Sequence, residues 1–161
     1  MILDLRTGIG FDVHAFTEGR KLILGGIEIQ HEKGLAGHSD ADALLHAVTD
    51  ALLGSIALGD IGTHFPDDDP RYKNADSTVF LKKASELLRN RGYYVNNIDV
   101  MVMLQKPKIS PYIQKMKEKI SKILEISSER VSIKATTTER LGFVGREEGI
   151  SVIAVATVVK K

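Results

Sequence analysis

The 161 residues contain no cysteine and no tryptophan. The first absence excludes a disulfide framework and every thiolate metal site, and it fits a reducing compartment. Aromatic residues are sparse, five Phe and four Tyr, and the formal net charge is only +1. There is no basic stripe interleaved with aromatics, so nucleic acid lacks its electrostatic footprint here. No apolar run approaches the ~20 residues of a membrane span. Asp4 and Arg6 fall where a signal peptide needs an apolar core. The expectation is a soluble, cytoplasmic protein with neither nucleic acid nor membrane as partner. Its length suits one compact domain over residues 1–161, large enough to bury a core without a disulfide or structural metal.

Periodicity supplies the elements. Residues 6–16 alternate as a strand, and 21–30 read as a second strand broken by Gly25-Gly26, a turn or bulge signal. Residues 31–39 read as loop. From Asp40 to Leu58 the period becomes helical, with Leu44, Leu45, Val48, Leu52, Leu53 and Ile56 in one apolar stripe. Residues 59–75 form a long Gly, Pro and Asp-rich loop, a length that in a small domain favours function. Asp76 or Ser77 can cap a second helix that ends before Gly92. Residues 97–105 alternate again. Ser110-Pro111 predicts the N-cap and first turn of a third helix through Leu124. Strands follow over 130–138 and 150–159, with a glycine-rich loop over 139–149 between them.

Strands largely segregated against one helical layer predict an α+β two-layer sandwich, a mixed β-sheet with helices on one face. In the last strand Ile150, Val152, Ala154, Ala156 and Val158 are apolar on one side, and Ile153, Val155 and Val159 on the other. Helices cover only one side, so the second implies burial in a homo-oligomer, or else a loop over a central strand.

The first strand carries Gly8, Gly10, Asp12 and His14 on one face. Side chains at i and i+2 project together, about 7 Å apart, and can converge on one ion. Zinc accepts imidazole nitrogen and carboxylate oxygen, and a catalytic site takes three protein ligands and one open position. His46 is a candidate third ligand, flanked at i−4 and i+4 by Asp42 and Asp50 on what reads as the polar side of the first helix. Taken alone, Asp12 and His14 read equally as a solvent-facing pair and His46 as a surface ion-pair partner. Their company argues otherwise: the two glycines leave room above the sheet, and His38, Ser39 and Asp40 stand at the mouth of the helix that carries His46. Helix N-termini attract phosphate.

Together GFDVHAF, GLAGHSDADALLHAVTDALLG, LGDIGTHFPD, ADS and KATTTERLGFVGREEG resemble the 2-C-methyl-D-erythritol 2,4-cyclodiphosphate synthase family of the non-mevalonate isoprenoid pathway, from about Ile9 to the last strand. The resemblance implies a homotrimer with sites at subunit boundaries and zinc on Asp12, His14 and His46. It also implies a lyase that converts 4-diphosphocytidyl-2-C-methyl-D-erythritol 2-phosphate to the cyclic diphosphate with release of CMP. Such phosphoryl transfer asks mainly for alignment and charge stabilisation. A second cation, Mg²⁺ or Mn²⁺, is implied on Glu139, which suits an ion that takes one or two carboxylates beside phosphate oxygens.

The same resemblance assigns the 2-phosphate region to His38 and Ser39, which otherwise read as a loop residue and a helix cap. It assigns the methylerythritol hydroxyls to Asp60, Gly62 and the nearby Asp67, with Asp68 and Asp69 a solvated acidic turn. The cytidine pocket falls to Pro107, Lys108, Ala135, Thr136 and Thr137, with Thr137 also among the catalytic residues beside His38 and Glu139. Lys108 reads equally as a surface lysine, and Thr136 to Thr138 as plain strand propensity. Phe143, Arg146 and Glu148 are implied around an axial cavity linked to isoprenoid diphosphates, for which arginine is apt. Asp50 is a candidate carboxylate holding the His46 imidazole. His64 is expected to be a loop residue outside the zinc site. The rival readings are a zinc hydrolase that activates water and a non-enzymatic oligomer that binds nucleotide or isoprenoid diphosphate around structural zinc. A structural zinc normally has four protein ligands, and only three are nominated.

Overall fold

The structure, a computed structural model, describes residues 4–160, so the outermost ends of the expected 1–161 domain lie outside the described residues. In chain order the elements begin with β1 (Leu5–Thr17), the hairpin strands β2 (Leu22–Leu24) and β3 (Ile27–Ile29), and β4 (Gly34–Leu35). Helix α1 (Ala43–Ser55), the single turn α2 (Ile61–His64) and helix α3 (Thr78–Asn90) follow. Then come β5 (Tyr93–Met103), α4 (Ile113–Leu124), β6 (Val131–Thr136), the short α5 (Gly142–Gly145) and β7 (Gly149–Lys160).

The main sheet has the order β4-β1-β7-β5-β6. Only β5 and β6 run parallel, and α4 supplies the crossover that a parallel pair requires. The mixed α+β architecture with helices on one face is as the sequence predicts. Ile150, Val152, Ala154, Ala156 and Val158 of β7 are fully buried beneath the helices. The opposite face is open: Ile9 is 70% exposed and Phe11 59%. Val155 lies between Ile9 and Asp99 on that face, and Ile153 between Phe11 and Met101.

Several local expectations shift. The glycines of β1 leave no empty space. The backbone of α1 fills it, and a Cβ on Gly8 would lie 1.9 Å from the Ala51 carbonyl oxygen. Gly25 and Gly26, with φ of 59° and 72°, turn the β2–β3 hairpin, a left-handed pair that suits a two-residue loop. The expected loop at 31–39 contains the short β4, and the fifth strand starts at Tyr93 rather than 97. The loops at 59–75 and 139–149 contain α2 and α5. Ser110-Pro111 opens a 3₁₀ turn instead of α4, and no side-chain cap bond forms there. The α3 start is tied by Asp76, whose Oδ1 accepts the Thr78 N–H at 2.8 Å, while Ser77 makes no cap bond.

Candidate metal centre and its cavity

Because β1 and α1 touch backbone to backbone, their side chains meet just beyond the glycines. Asp12 and His14 extend from β1, and His46 reaches them from the end of the first turn of α1. Asp12 Oδ2 lies 2.9 Å from His14 Nε2 and 3.1 Å from His46 Nδ1, and the two nitrogens are 3.3 Å apart. A tetrahedral ion bound at ~2.0–2.2 Å sets its ligand atoms roughly 3.3–3.6 Å apart, so this triangle needs only slight opening to hold one. His14 Nδ1 faces the Ala36 carbonyl at 2.6 Å. Its proton is donated there, leaving the Nε2 lone pair for the cluster.

Charge coupling within the triangle is strong. Burial opposes ionisation of Asp12, but the His14 and His46 imidazoles held against its Oδ2 outweigh it and keep the carboxyl at about 2. Burial would depress His14, yet the Asp12 carboxylate more than compensates and its pKa is raised. The donor set of two imidazoles and one carboxylate, half-buried, fits a divalent cation, and it is the one such cluster among the described residues.

The triangle opens into a cavity of about 510 Å³. His38, Ser39, Gly62 and Asp67 line it, together with Phe65, Tyr72 and Phe80. Asp60 stands at its edge as the N-cap of α2, with its carboxylate accepting from the Thr63 N–H at 2.9 Å and hydroxyl at 2.8 Å. His38 Nε2 lies 3.1 Å from the Asp69 carbonyl oxygen. Asp68 is exposed, whereas Asp69 is half-buried and ion-paired with Arg71, so it is more than a solvated turn. His64 ends α2 with Nε2 against the Leu58 carbonyl at 2.8 Å, away from the triangle.

The remaining sequence candidates gather elsewhere. Pro107, Lys108, Ala135, Thr136, Thr137 and Glu139 lie around the end of β6, separated from β1 by β7 and β5. Three inter-strand steps of ~4.8 Å put about 14 Å between the two groups. A Lys106–Glu147 ion pair of 3.3 Å joins the Pro107 loop to the loop after β6. Lys108, Ala135, Thr136, Thr137 and Glu139 are exposed. The Glu139 and Arg140 backbones take φ of 53° and 64°, a region that costs non-glycine residues roughly 1–2 kcal/mol. Thr137 Oγ1 lies 3.3 Å from Glu139 Oε1. Arg146 is paired with Glu148 at 2.8 Å, and Phe143 is 40% exposed on α5.

Two expectations about α1 fail. Asp42 is not on a polar face. It is the fully buried N-cap, whose carboxylate accepts the N–H groups of Leu45 and Gly25 at 3.0 Å each and Gly26 at 2.7 Å. Burial pushes it up to about 7. Asp50 does not hold the His46 imidazole, because its Oδ1 accepts the Ile61 N–H at 2.6 Å and fixes the start of α2. The outer nitrogen of His46 is met by serines instead: Nε2 is 2.8 Å from Ser77 Oγ and 3.2 Å from Ser39 Oγ.

A family model described as the YgbB family matches residues 5–159. The chain belongs to the YgbB family. Proteins named 2-C-methyl-D-erythritol 2,4-cyclodiphosphate synthase from Bacillus mycoides (strain KBAB4) and Bacillus cereus (strain AH187) are each 58% identical to it over 156 residues, 97% of this chain and 99% of theirs. Among solved structures, the bifunctional IspDF from Campylobacter jejuni superposes with a TM-score of 0.96 at 44% identity, over 99% of this chain and 43% of that one. This YgbB-family chain therefore spans less than half the length of that bifunctional protein. The CDP complex of IspF from Plasmodium falciparum gives a TM-score of 0.86 at 33% identity, covering 98% of this chain and 97% of that one. Among the described residues no helix is long and apolar enough to cross a membrane.

Proposed function

We propose that this chain is the lyase that cyclises 4-diphosphocytidyl-2-C-methyl-D-erythritol 2-phosphate to 2-C-methyl-D-erythritol 2,4-cyclodiphosphate and releases CMP, in the cytoplasm. The observation that carries this reading is the meeting of Asp12, His14 and His46 at the mouth of a cavity edged by His38, Ser39 and Gly62. The 2-phosphate oxygen attacks the β-phosphorus, the bond from β-phosphorus to the bridging oxygen breaks, and CMP leaves with that oxygen. The nucleophile is already anionic, so the protein aligns and stabilises rather than deprotonates.

Asp12, His14 and His46 would hold zinc, and Glu139 would hold Mg²⁺ or Mn²⁺. When bound, these ions supply Lewis acidity, a template for the phosphate oxygens and neutralisation of diphosphate charge. His38 and Ser39 donate hydrogen bonds to the 2-phosphate region. Asp60, Asp67 and the Gly62 backbone orient the methylerythritol hydroxyls, for which carboxylates are good acceptors. Pro107, Lys108, Ala135, Thr136 and Thr137 take the cytidine and its phosphates. This second group sits about 14 Å from the triangle within one chain, and the open outer face of β1 and β7 is apolar. Both features support a homotrimer in which neighbouring chains complete each site. Phe143 and Arg146 would then face an axial cavity suited to an isoprenoid diphosphate.

The decisive experiment is incubation of the protein with the substrate, Zn²⁺ and Mg²⁺, followed by mass spectrometry. CMP and a cyclic diphosphate are expected. Linear hydrolysis products would point to a water-activating hydrolase, and unchanged substrate to a binding module.

A further inference from the structure

Two motifs in the chain, the Ser-Asp at 39–40 and the Ala-Asp-Ser at 75–77, contain an aspartate and a serine that the reaction above does not use. They meet behind the metal triangle. Ser77 is fully buried just before α3, and its hydroxyl is hydrogen-bonded to Asp40 Oδ1 on one side and stands 2.8 Å from His46 Nε2 on the other. Asp40 is itself anchored. Its Oδ2 accepts the Ser77 N–H at 3.0 Å and its Oδ1 the Asp42 N–H at 3.1 Å.

We propose that Asp40 and Ser77 are positioning residues that hold a proton on Nε2 of His46, so that Nδ1 is the nitrogen left to a cation shared with Asp12 and His14. The proposal rests on the metal reading above and deepens it. A neutral imidazole has one donor nitrogen and one acceptor nitrogen, and a hydroxyl has one proton to give. An ionised carboxylate only accepts, so the proton between Ser77 and Asp40 belongs to Ser77 and points at Asp40. The Ser77 oxygen can then only accept from His46, which fixes the proton on Nε2. A carboxylate acting through one hydroxyl thus does what a directly bonded carboxylate does for many metal-bound histidines.

The same polarity reaches Ser39. Its Oγ accepts the Ala41 N–H at 3.2 Å and lies 3.2 Å from His46 Nε2. A protonated Nε2 offers Ser39 no lone pair, so the Ser39 hydroxyl proton is left for an anionic oxygen in the cavity that Ser39 lines. Asp40 thereby orients both the metal ligand and the phosphate donor.

The test uses the full-length, metal-free protein labelled with ¹⁵N-histidine. Long-range ¹H–¹⁵N correlation spectra report the His46 tautomer, and competition with a chromophoric chelator reports Zn²⁺ affinity. Wild type should carry a proton on Nε2. Ser77→Ala keeps the backbone bond to Asp40 but frees Nε2. Asp40→Asn can donate to Ser77 and turn its proton toward Nε2. Both should gain Nδ1–H character and lose roughly 10–100-fold in Zn²⁺ affinity. Ser77→Thr, which retains the hydroxyl, should recover most of the loss. An Nδ1–H tautomer in the wild type, or wild-type spectra and affinity in both Ser77→Ala and Asp40→Asn, would overturn the proposal. A wild-type protein that binds no Zn²⁺ but carries a proton on Nε2, shifted by Ser77→Ala, would sink the metal reading and leave the relay standing.

Discussion

Gly10 of β1 and Ala47 of α1 touch backbone to backbone: a Cβ built on Gly10 would lie 1.8 Å from the Ala47 carbonyl oxygen. Asp12 follows Gly10 by two residues and His46 precedes Ala47 by one, so this contact sets how closely the proposed metal ligands approach. Gly10→Ala must push α1 off the sheet. Overpacking usually costs about 1–3 kcal/mol, and a clash with rigid backbone belongs at or above the top of that range. Urea unfolding should show the loss, and chelator competition should show weakened Zn²⁺ binding. A variant as stable as wild type, with equal affinity, would mean that the helix is free to rise.

The Asp42 carboxyl gives a pH signature of the fold rather than of the chemistry. Burial raises it in the folded chain to about 7, from a value of 3.8 when unfolded. The folded state therefore holds an extra proton between those values. The contribution is full below about pH 4 and is lost as pH rises through about 7, on the order of 4 kcal/mol for a shift of this size. Asp42→Asn removes the titration while an amide oxygen still accepts from the Gly25, Gly26 or Leu45 N–H groups. Urea midpoints measured from pH 4.5 to 8 should fall with pH in wild type more steeply than in Asp42→Asn. Parallel profiles would show that the three N–H donors hold the carboxylate ionised.

How much of this could be read from the chain depended on how local the signal was. The α1 stripe from Leu44 to Ile56 and the alternation of β7 are periodic, and both fall where their periods put them. The strand pair Asp12 and His14 carries its own geometry, because residues two apart share a face. Asp42 misleads because an aspartate one turn before a histidine looks like a helix surface. Its real partners, the Gly25 and Gly26 N–H groups, belong to a hairpin 17 and 16 residues upstream. Ser77 is 31 residues from His46 and carries no pattern except that of a cap. Asp50 is open to the same misreading, since the Ile61 N–H reaches it from a turn that no periodicity announces.

The open sheet face makes the assembly testable. Ile9, Val155, Phe11 and Ile153 form adjacent apolar pairs across β1 and β7, and Ile9 and Phe11 are more than half exposed in the isolated chain. Wild type should scatter light as three chains of 17.7 kDa. Val155→Glu places a carboxylate in the middle of that face and next to Asp99. Burying it there unpaired would cost several kcal/mol, enough to leave single chains at micromolar concentration. A trimer that survives this change would mean that subunits meet through another surface.

Glu139 separates the two proposed ions. It lies past the end of β6, with β7 and β5 between it and β1, and its only side-chain partner among the described residues is the Thr137 hydroxyl. Glu139→Gln keeps the size and that contact but removes the charge on which a hard cation depends. The Mg²⁺ or Mn²⁺ concentration for half-maximal rate should rise roughly tenfold or more. Zinc content should stay at the wild-type level, because Asp12, His14 and His46 are untouched. A cation titration that superposes on wild type would remove Glu139 from the second site. A parallel loss of zinc would show that the two clusters are coupled through the assembly and do not act as separate ligand sets.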